Sequence, residues 1–319
     1  MAGTFTHWMV AETALDQYER LSKKHEYFSK ILGNSHFVCL GAVGPDYPYL
    51  TELLNGYLKM HSWADRMHYE NTGDFIRKGI RNLPEIGTVD FNICLAWLCG
   101  FVTHLLTDAV VHPVVQAIVG TYVFNSEDHR HCEMTQDSWI FYDIKSLEIG
   151  YANYEGLFKM CSDQNDKKNK KLNPALATFW TKTLKETHPT AEKWFEHITP
   201  DIWHDKFLSR ISSATDPIPI FRHYEEEKKL AYKTTSELTA EELERFVEKI
   251  KMPDNETGKF KEDVFDKAVN TVVETWNKLF KDIEQSKPEN TISYIKNWNL
   301  DTGVDEDIQF FWSAQKGVV

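Results

Sequence analysis

The sequence is short of positive charge. Its 319 residues include 36 lysines and arginines against 48 aspartates and glutamates, which gives a formal net charge of −12. Proteins that bind nucleic acid through the phosphate backbone, or that bind anionic membrane surfaces, usually carry the opposite balance. We therefore expect no nucleic-acid partner, although several bound divalent cations would reverse the sign locally.

Several catalytic and targeting signatures are also missing. The chain has no His-Glu-x-x-His pair, glycine-rich phosphate loop, dinucleotide fingerprint, serine nucleophile elbow or Cys-x-x-Cys pair. Three of its five cysteines lie in apolar stretches, and buried free thiols are typical of a reducing compartment. The first residues have neither the basic region nor the apolar core of a signal peptide. We expect a cytoplasmic protein unless a dedicated system exports it.

Alternating strand patterns are scarce, whereas helical spacing recurs along the chain. We predict an all-α fold, with a helical metal-binding core over residues 1–160. A helical extension over 161–319 is expected to pack on this core as part of the same domain. A polar stretch at 163–174 is typical of a loop. The predicted helices cover 14–32, 49–68, 90–120, a segment from about 128, 240–250 and 264–283.

The most informative feature is the spacing of His104, Asp108 and His112 in the apolar run 100–113. Steps of four keep the three side chains on one helix face, within an arc of about 80°. A buried, unpartnered carboxylate would be costly there, and a divalent cation is the partner that fits best. The two histidines lie about 12 Å apart along the axis, too far to share one ion. Asp108 between them could touch ions on both sides, which indicates a metal cluster.

The same apolar stretch raises the alternative of a membrane span. Polar and charged side chains interrupt it on one side, and a charged residue in mid-span is expensive in lipid. We therefore predict no transmembrane segment. Pro113 is expected to kink or restart the helix immediately after His112.

A second set of candidates lies on the next predicted helix. His129 and Glu133 are four residues apart and could chelate one ion from a single face. His131 points about 200° away from His129, which makes it the less probable ligand. Asp137 continues the face of His129 and Glu133 and could orient a ligand from behind.

Three further segments hold candidate ligands. A turn rich in glycine and proline can present Asp46 inward, with a turn cap as the alternative role. The segment 61–68 offers two interpretations: His61 pairs with Asp65, or His68 faces the site with Asp65 behind it. His7 is uninformative by itself.

Taken together and in order, these segments resemble the zinc-dependent phospholipase C family, whose wider superfamily includes the fungal zinc single-strand nucleases. The resemblance covers roughly the first 140 residues and implies a mostly helical fold with up to three zinc ions. The residues that carry it are Thr6-His7, Gly44-Pro-Asp46, His68-Tyr69, the run of His104, Asp108, His112 and Pro113, and His129 with Glu133.

The resemblance also implies roles for individual residues. One ion would be held by Asp46, His68, His104 and Asp108; a second by His112, His129 and Glu133; and a third by His7 with bridging Asp108. Asp46 would be the general base, and Tyr47 matches a position that lines the head-group pocket. We expect the substrate at the turn that bears Asp46, Tyr47 and Tyr49. Secreted members bind zinc through an N-terminal tryptophan, so the third site is expected to be weaker here.

The leading functional prediction is a zinc-dependent phosphodiester hydrolase of phospholipase C type, acting on a phospholipid or a small phosphodiester. Clustered divalent ions suit attack by water on phosphorus. One alternative is a nuclease or phosphatase that uses the same cluster. Others are a metal-dependent biosynthetic enzyme on a repurposed scaffold and a helical metal-binding protein without activity.

Overall fold

Helices account for most of the fold. A computed structural model of the chain describes residues 3–49, 62–83, 87–168, 170–214, 223–225 and 230–312. The α-helices of these residues are α1 (Thr4–Glu19), α2 (Glu26–Leu32), α3 (Ser35–Gly41), α4 (Trp63–Tyr69), α5 (Thr72–Asn82), α6 (Thr88–Val119), α7 (Tyr122–Lys145), α8 (Tyr154–Lys159), α9 (Pro174–Thr187), α10 (Pro200–Ala214), α11 (Ala240–Leu243) and α12 (Asp266–Glu284).

Shorter elements connect these helices. Short 3-10 helices lie at Gly44–Asp46, Ile149–Tyr151, Pro189–His197, Thr235–Glu237 and Pro288–Ser293, and π-helical turns at Glu244–Glu248 and Phe260–Phe265. Strands β1 (His223–Glu225) and β2 (Leu230–Ala231) pair antiparallel, as do β3 (Ile250–Lys251) and β4 (Thr257–Gly258). Within the described ranges these are the only sheets, and the prediction of an all-α fold is confirmed.

Helix α6 is the centre of the molecule. Its side chains are buried almost continuously from Cys94 to Val115, and it packs against α3, α7 and α12. Two glycines let α3 and α6 approach closely. A Cβ added at Gly41 would lie 2.1 Å from the Trp97 carbonyl oxygen, and one at Gly100 would lie 2.0 Å from that of Val38. This close crossing brings the loop after α3, with Asp46, up to the ligand face of α6.

Two predictions concern helix α6: that it is not a membrane span, and that Pro113 alters its course. By length and composition it could cross a membrane, but 94% of its most apolar window is buried inside the protein, as expected of a core helix. Of the two outcomes predicted for Pro113, a kink or a restart, the restart is wrong, since α6 continues to Val119. Pro113 removes one backbone hydrogen bond, whereas the buried Val114 and Val115 keep the following turn packed in the core.

Other helix boundaries differ from the predicted ones. The predicted helix over 14–32 is two helices, α1 and α2, and α1 begins earlier, at Thr4. Helix α7 begins at Tyr122 rather than near 128, with a non-helical residue at Asn125. The predicted helix over 240–250 opens with the expected capping box of Thr239 and Glu242, then changes to a π-helical turn and ends in a strand. Of the predicted helix over 49–68, residues 50–61 lie outside the described part.

Both halves of the chain contribute to one hydrophobic core. It contains side chains from Phe5 near the start to Phe311 near the end, including the predicted apolar stripe of α12. All five cysteines are buried free thiols, as expected. The described residues of the polar stretch before α9, 163–168 and 170–173, lie in turns and irregular backbone, and the Asn173 side chain caps α9. The division at residue 160 into a core and an extension stays a prediction.

Candidate metal centre

The site is built around Asp108, whose side chain is completely buried on α6. Three histidines lie against its carboxylate. His104 Nε2 is 3.1 Å from Oδ2, and His112 Nε2 and His7 Nε2 are 3.3 and 3.2 Å from Oδ1. Burial raises the pKa of Asp108, yet the neighbouring His112 and His104 hold it well below its usual value. The carboxylate therefore stays ionised in the centre of the fold.

The turn after α3 and helix α4 add Asp46 and His68. His68 Nε2 lies 3.2 Å from Asp46 Oδ1 and also 3.2 Å from His104 Nε2. The Nδ1 atoms of both imidazoles donate to backbone carbonyls, from His68 to Ala64 at 2.7 Å and from His104 to Ala42 at 2.9 Å. In a neutral imidazole this leaves both Nε2 atoms without a proton. Two lone pairs then face each other at 3.2 Å, and either a metal ion bound by both nitrogens or a proton on one of them removes the repulsion.

The pKa values of His68 and His104 are shifted in opposite directions. Burial lowers the pKa of His68, but Asp46 and Asp108 outweigh it and hold the pKa above its usual value. Burial lowers the pKa of His104. Positive charge is thus favoured on the His68 side of the pair, next to the carboxylates of Asp46 and Asp108. Divalent metal ions supply such charge.

Helix α1 brings His7 to the same place, and Asp137 holds the start of that helix. Asp137 accepts hydrogen bonds from the backbone of Phe5 (3.2 Å) and Thr6 (2.6 Å) and from the Thr6 hydroxyl (2.7 Å). Tyr232 donates its hydroxyl proton to Oδ2, the oxygen that also accepts from Phe5, at 2.9 Å. Burial raises the pKa of Asp137 to about 6. Asp137 therefore positions the helix of His7 and makes no hydrogen bond to His129 or Glu133 among the described residues.

Two groups of ligand atoms are close enough for shared coordination. His7, His104 and Asp108 form one, and Asp46, His68 and His104 form the other; within each group the ligand atoms lie within 4.8 Å of one another. His104 belongs to both, so the five residues form one continuous cluster. The described residues contain no further group of this kind with His112, His129 and Glu133.

The ligand atoms of His112, His129 and Glu133 do not converge as those of the cluster do. His129 Nε2 donates to the Gly120 carbonyl at 2.6 Å, and its Nδ1 lies 4.0 Å from Glu133 Oε1. Burial raises the pKa of Glu133 to about 7 and lowers that of His112 to about 4. His131 pairs instead with Glu242, and its side chain is 42% exposed.

The tyrosines of the predicted substrate turn differ in exposure. Tyr47 is fully buried, with its ring stacked on Phe207 at 4.3 Å and its hydroxyl 3.4 Å from His204 Nδ1. Tyr49 is half-buried, and its ring centroid lies 5.4 Å from that of His68. Of the two, Tyr49 is the aromatic side chain that faces both the cluster and the solvent.

Asp65 lies close to the site, but among the described residues it forms neither a hydrogen bond nor an ion pair with His68. It accepts a hydrogen bond from the Tyr49 hydroxyl at 2.9 Å and forms the capping box of α4 with Ser62. The carbonyl of Ala64 takes the place behind His68 that Asp65 was predicted to fill. The alternative pair of His61 with Asp65 involves a residue outside the described part.

Three groups of the site were not predicted from the sequence. They are the Ala42 and Ala64 carbonyls and Asp301, whose Oδ1 lies 3.6 Å from His112 Nδ1. Carbonyls carry no sequence signal, because every residue has one. Asp301 lies in an irregular segment far along the chain, where no periodicity marks it.

The donor set fits a metal ion. Both ring nitrogens of His7 and of His112 are buried without a hydrogen bond. Unpaired buried polar atoms are costly, and a cation satisfies them. Imidazole nitrogens combined with carboxylate oxygens are a ligand set that suits zinc.

Comparison with known proteins agrees with this chemistry. The model of the family described as zinc-dependent phospholipase C matches residues 6–194, more than half of the chain. No curated protein and no solved structure matches it. The matched region contains His7, Asp46, His68 and all the α6 and α7 ligand candidates. The chain belongs to the zinc-dependent phospholipase C family.

Proposed function

We propose that the protein is a zinc-dependent phosphodiester hydrolase of phospholipase C type. The observation that carries the proposal is the pair of opposed Nε2 atoms of His68 and His104, fixed by backbone carbonyls beside Asp46 and Asp108. His7 completes this cluster. His112, His129 and Glu133 would hold a further ion, which gives two to three zinc ions per chain.

The chain's own groups perform distinct tasks. Bound zinc supplies Lewis-acid polarisation of phosphoryl oxygens and lowers the pKa of a water molecule. Asp108 keeps the histidines together by its buried charge. Asp46 is 16% exposed, with Oδ1 turned to His68. Burial raises its pKa, but His104 and His68 hold it below the usual value, so the carboxylate is ionised and can accept a proton from the attacking water.

Tyr49 supports the choice of a lipid head group as one part of the substrate. Its ring lies beside His68 with part of its surface open, so a quaternary ammonium could stack on it, worth about 0.5–2 kcal/mol. Hydrolysis on the glycerol side of the phosphate would release a phosphorylated head group and diacylglycerol. The negative net charge disfavours long nucleic acids as substrates.

The test offers three substrates to the zinc-loaded protein: phosphatidylcholine vesicles, a nitrophenyl phosphodiester and single-stranded DNA. We expect hydrolysis of the first two and at least two zinc ions per chain by elemental analysis. Asp46→Asn should abolish turnover, whereas Asp16→Asn, the same change at an exposed position of α1, should leave it unchanged. DNA cleavage alone would favour the nuclease alternative. A zinc-loaded protein that hydrolyses none of the three would favour a repurposed scaffold.

A further inference from the structure

The segment of residues 298–312, here the C-terminal strap, lies against both helices that carry the central ligands. It follows the last 3-10 helix and lies outside the family-matched region. Three hydrogen bonds attach it to the metal centre's helices and their ends: Leu300 N to His68 O (2.9 Å), Gln116 Nε2 to Asp301 O (2.6 Å) and Trp312 Nε1 to Val110 O (2.9 Å).

The strap approaches α6 most closely at Gly303. This residue has φ of +65°, and a Cβ there would lie 2.8 Å from Pro113 Cγ and 3.0 Å from the Ala109 carbonyl oxygen. Only glycine combines this backbone conformation with such close contact at low cost. The approach places Asp301, two residues earlier, beside the buried turn of α6 that carries His112.

The Asp301 carboxylate is held between two groups of the site. Its Oδ2 accepts a hydrogen bond from the Tyr69 hydroxyl at 2.9 Å, and its Oδ1 lies 3.6 Å from His112 Nδ1. The other nitrogen of that ring, Nε2, lies 3.3 Å from Asp108 Oδ1. His112 therefore has a carboxylate at each end of its imidazole.

The position of Asp301 bears on the tautomer of His112, which is not fixed in the way that those of His68 and His104 are. Backbone carbonyls fix the tautomers of those two histidines, whereas neither nitrogen of His112 makes a hydrogen bond among the described residues. The charged group that faces its Nδ1 is the Asp301 carboxylate, at 3.6 Å. An imidazole that binds a metal ion through one nitrogen is neutral and carries its single proton on the other. With that proton on Nδ1, toward Asp301, Nε2 presents its lone pair toward Asp108 and a cation.

We infer that Asp301 is a positioning residue, which fixes the His112 tautomer and so prepares Nε2 as a metal ligand. This inference rests on the proposed metal centre. Carboxylate groups behind metal-binding histidines orient the ring and raise its basicity, and losing one typically weakens metal binding about 10- to 100-fold. The C-terminal half of the chain is then part of the metal centre.

The test compares Asp301→Asn with Asp307→Asn in the full-length, zinc-loaded protein. Asp307 is an exposed residue of the same strap whose hydrogen bonds use only backbone atoms. Zinc affinity is measured by competition with a chromophoric chelator, and the His112 tautomer by nitrogen-15 NMR. We expect Asp301→Asn to weaken the binding of one zinc ion about 10-fold or more. It should also reduce the Nδ1-protonated signal, and Asp307→Asn should do neither.

A second variant keeps the inference testable if Asp301→Asn lowers the yield of folded protein. Tyr69→Phe removes the hydroxyl that holds Asp301 Oδ2 and should weaken the same zinc ion by a smaller factor, about 3-fold. Unchanged zinc affinity and an unchanged tautomer in folded variants would overturn the positioning role. A wild-type protein that binds no zinc would instead overturn the proposed function.

Discussion

The metal centre has two parts that differ in how closely their ligand atoms converge. The convergent part comprises His7, Asp46, His68, His104 and Asp108, and the open part comprises His112, His129 and Glu133. In the convergent part, two triples of ligand atoms lie within 4.8 Å. In the open part, His129 donates its Nε2 proton to a carbonyl and stands 4.0 Å from Glu133.

The difference follows from where the side chains are attached. The convergent residues lie on α6 or on elements whose side chains meet those of α6, and carbonyls fix two of the imidazoles. Two of the open residues lie on α7, after the non-helical residue Asn125 of that helix. Burial also raises the pKa of Glu133 to about 7, so an ion there competes with a proton. The convergent part is pre-organised for metal, and we expect it to bind more tightly.

The largest expected effect comes from Asp108, the residue of the convergent part that also contacts His112 of the open part. Asp108→Asn removes the buried negative charge between His7, His104 and His112 while keeping the side chain's size. We expect loss of zinc from both parts and a fall in turnover of about 1000-fold. Elemental analysis and hydrolysis of a nitrophenyl phosphodiester measure the two effects, with Asp16→Asn as the exposed control. A variant that keeps one zinc ion at full affinity would show that Asp108 does not link the parts.

A graded chelator titration should separate the two parts. Zinc should leave the open part first and the convergent part last, so His129→Ala should remove the early phase and His7→Ala should weaken the late one. A ligand present at 1000 times its Kd stabilises the folded state by about 4 kcal/mol. Complete removal should therefore lower Tm by about 10 °C, as followed by scanning calorimetry. Release of zinc in a single phase would mean that the two parts bind it equally. An unchanged Tm after complete removal would mean that the ligand side chains pair with one another when no metal is bound.

The convergent part was largely predictable because its central motif is local. The spacing of His104, Asp108 and His112 indicated a buried carboxylate between histidines, and the structure has Asp108 in that place. The N-terminal capping box of α11 and the apolar stripe of α12 followed from local patterns in the same way. A period of four residues encodes which side chains share a face.

The surroundings of the site were less predictable, because they depend on contacts between distant segments. Asp137 was expected behind a ligand of its own helix, but it binds the start of α1, more than 130 residues earlier. Asp301 reaches His112 only because Gly303 lets the strap lie on α6. Pro113 was expected to kink or restart α6, and core packing keeps that helix continuous. Such outcomes are decided by tertiary packing rather than local preference.

The smallest expected effect concerns support of the convergent part from the C-terminal half. His204 of α10 is fully buried, with Nε2 3.0 Å from the Ser162 hydroxyl and Nδ1 facing Tyr47, which follows Asp46. Burial lowers its pKa to about 4. The folded protein thus keeps His204 neutral in a range where the unfolded chain, with an ordinary histidine pKa near 6.5, takes up a proton.

The stability that His204 contributes is therefore complete above pH 6.5 and is lost as the pH falls toward 4. Between pH 7.5 and pH 5 this loss amounts to about 2 kcal/mol. In His204→Gln, the decrease in the free energy of unfolding over that interval should be smaller by this amount, as measured by urea denaturation of chelator-treated protein. His197→Gln, at an exposed histidine, controls for the loss of an imidazole. An equal pH dependence in wild type and His204→Gln would show that His204 is protonated equally in the folded and unfolded states, and that Tyr47 is held without it.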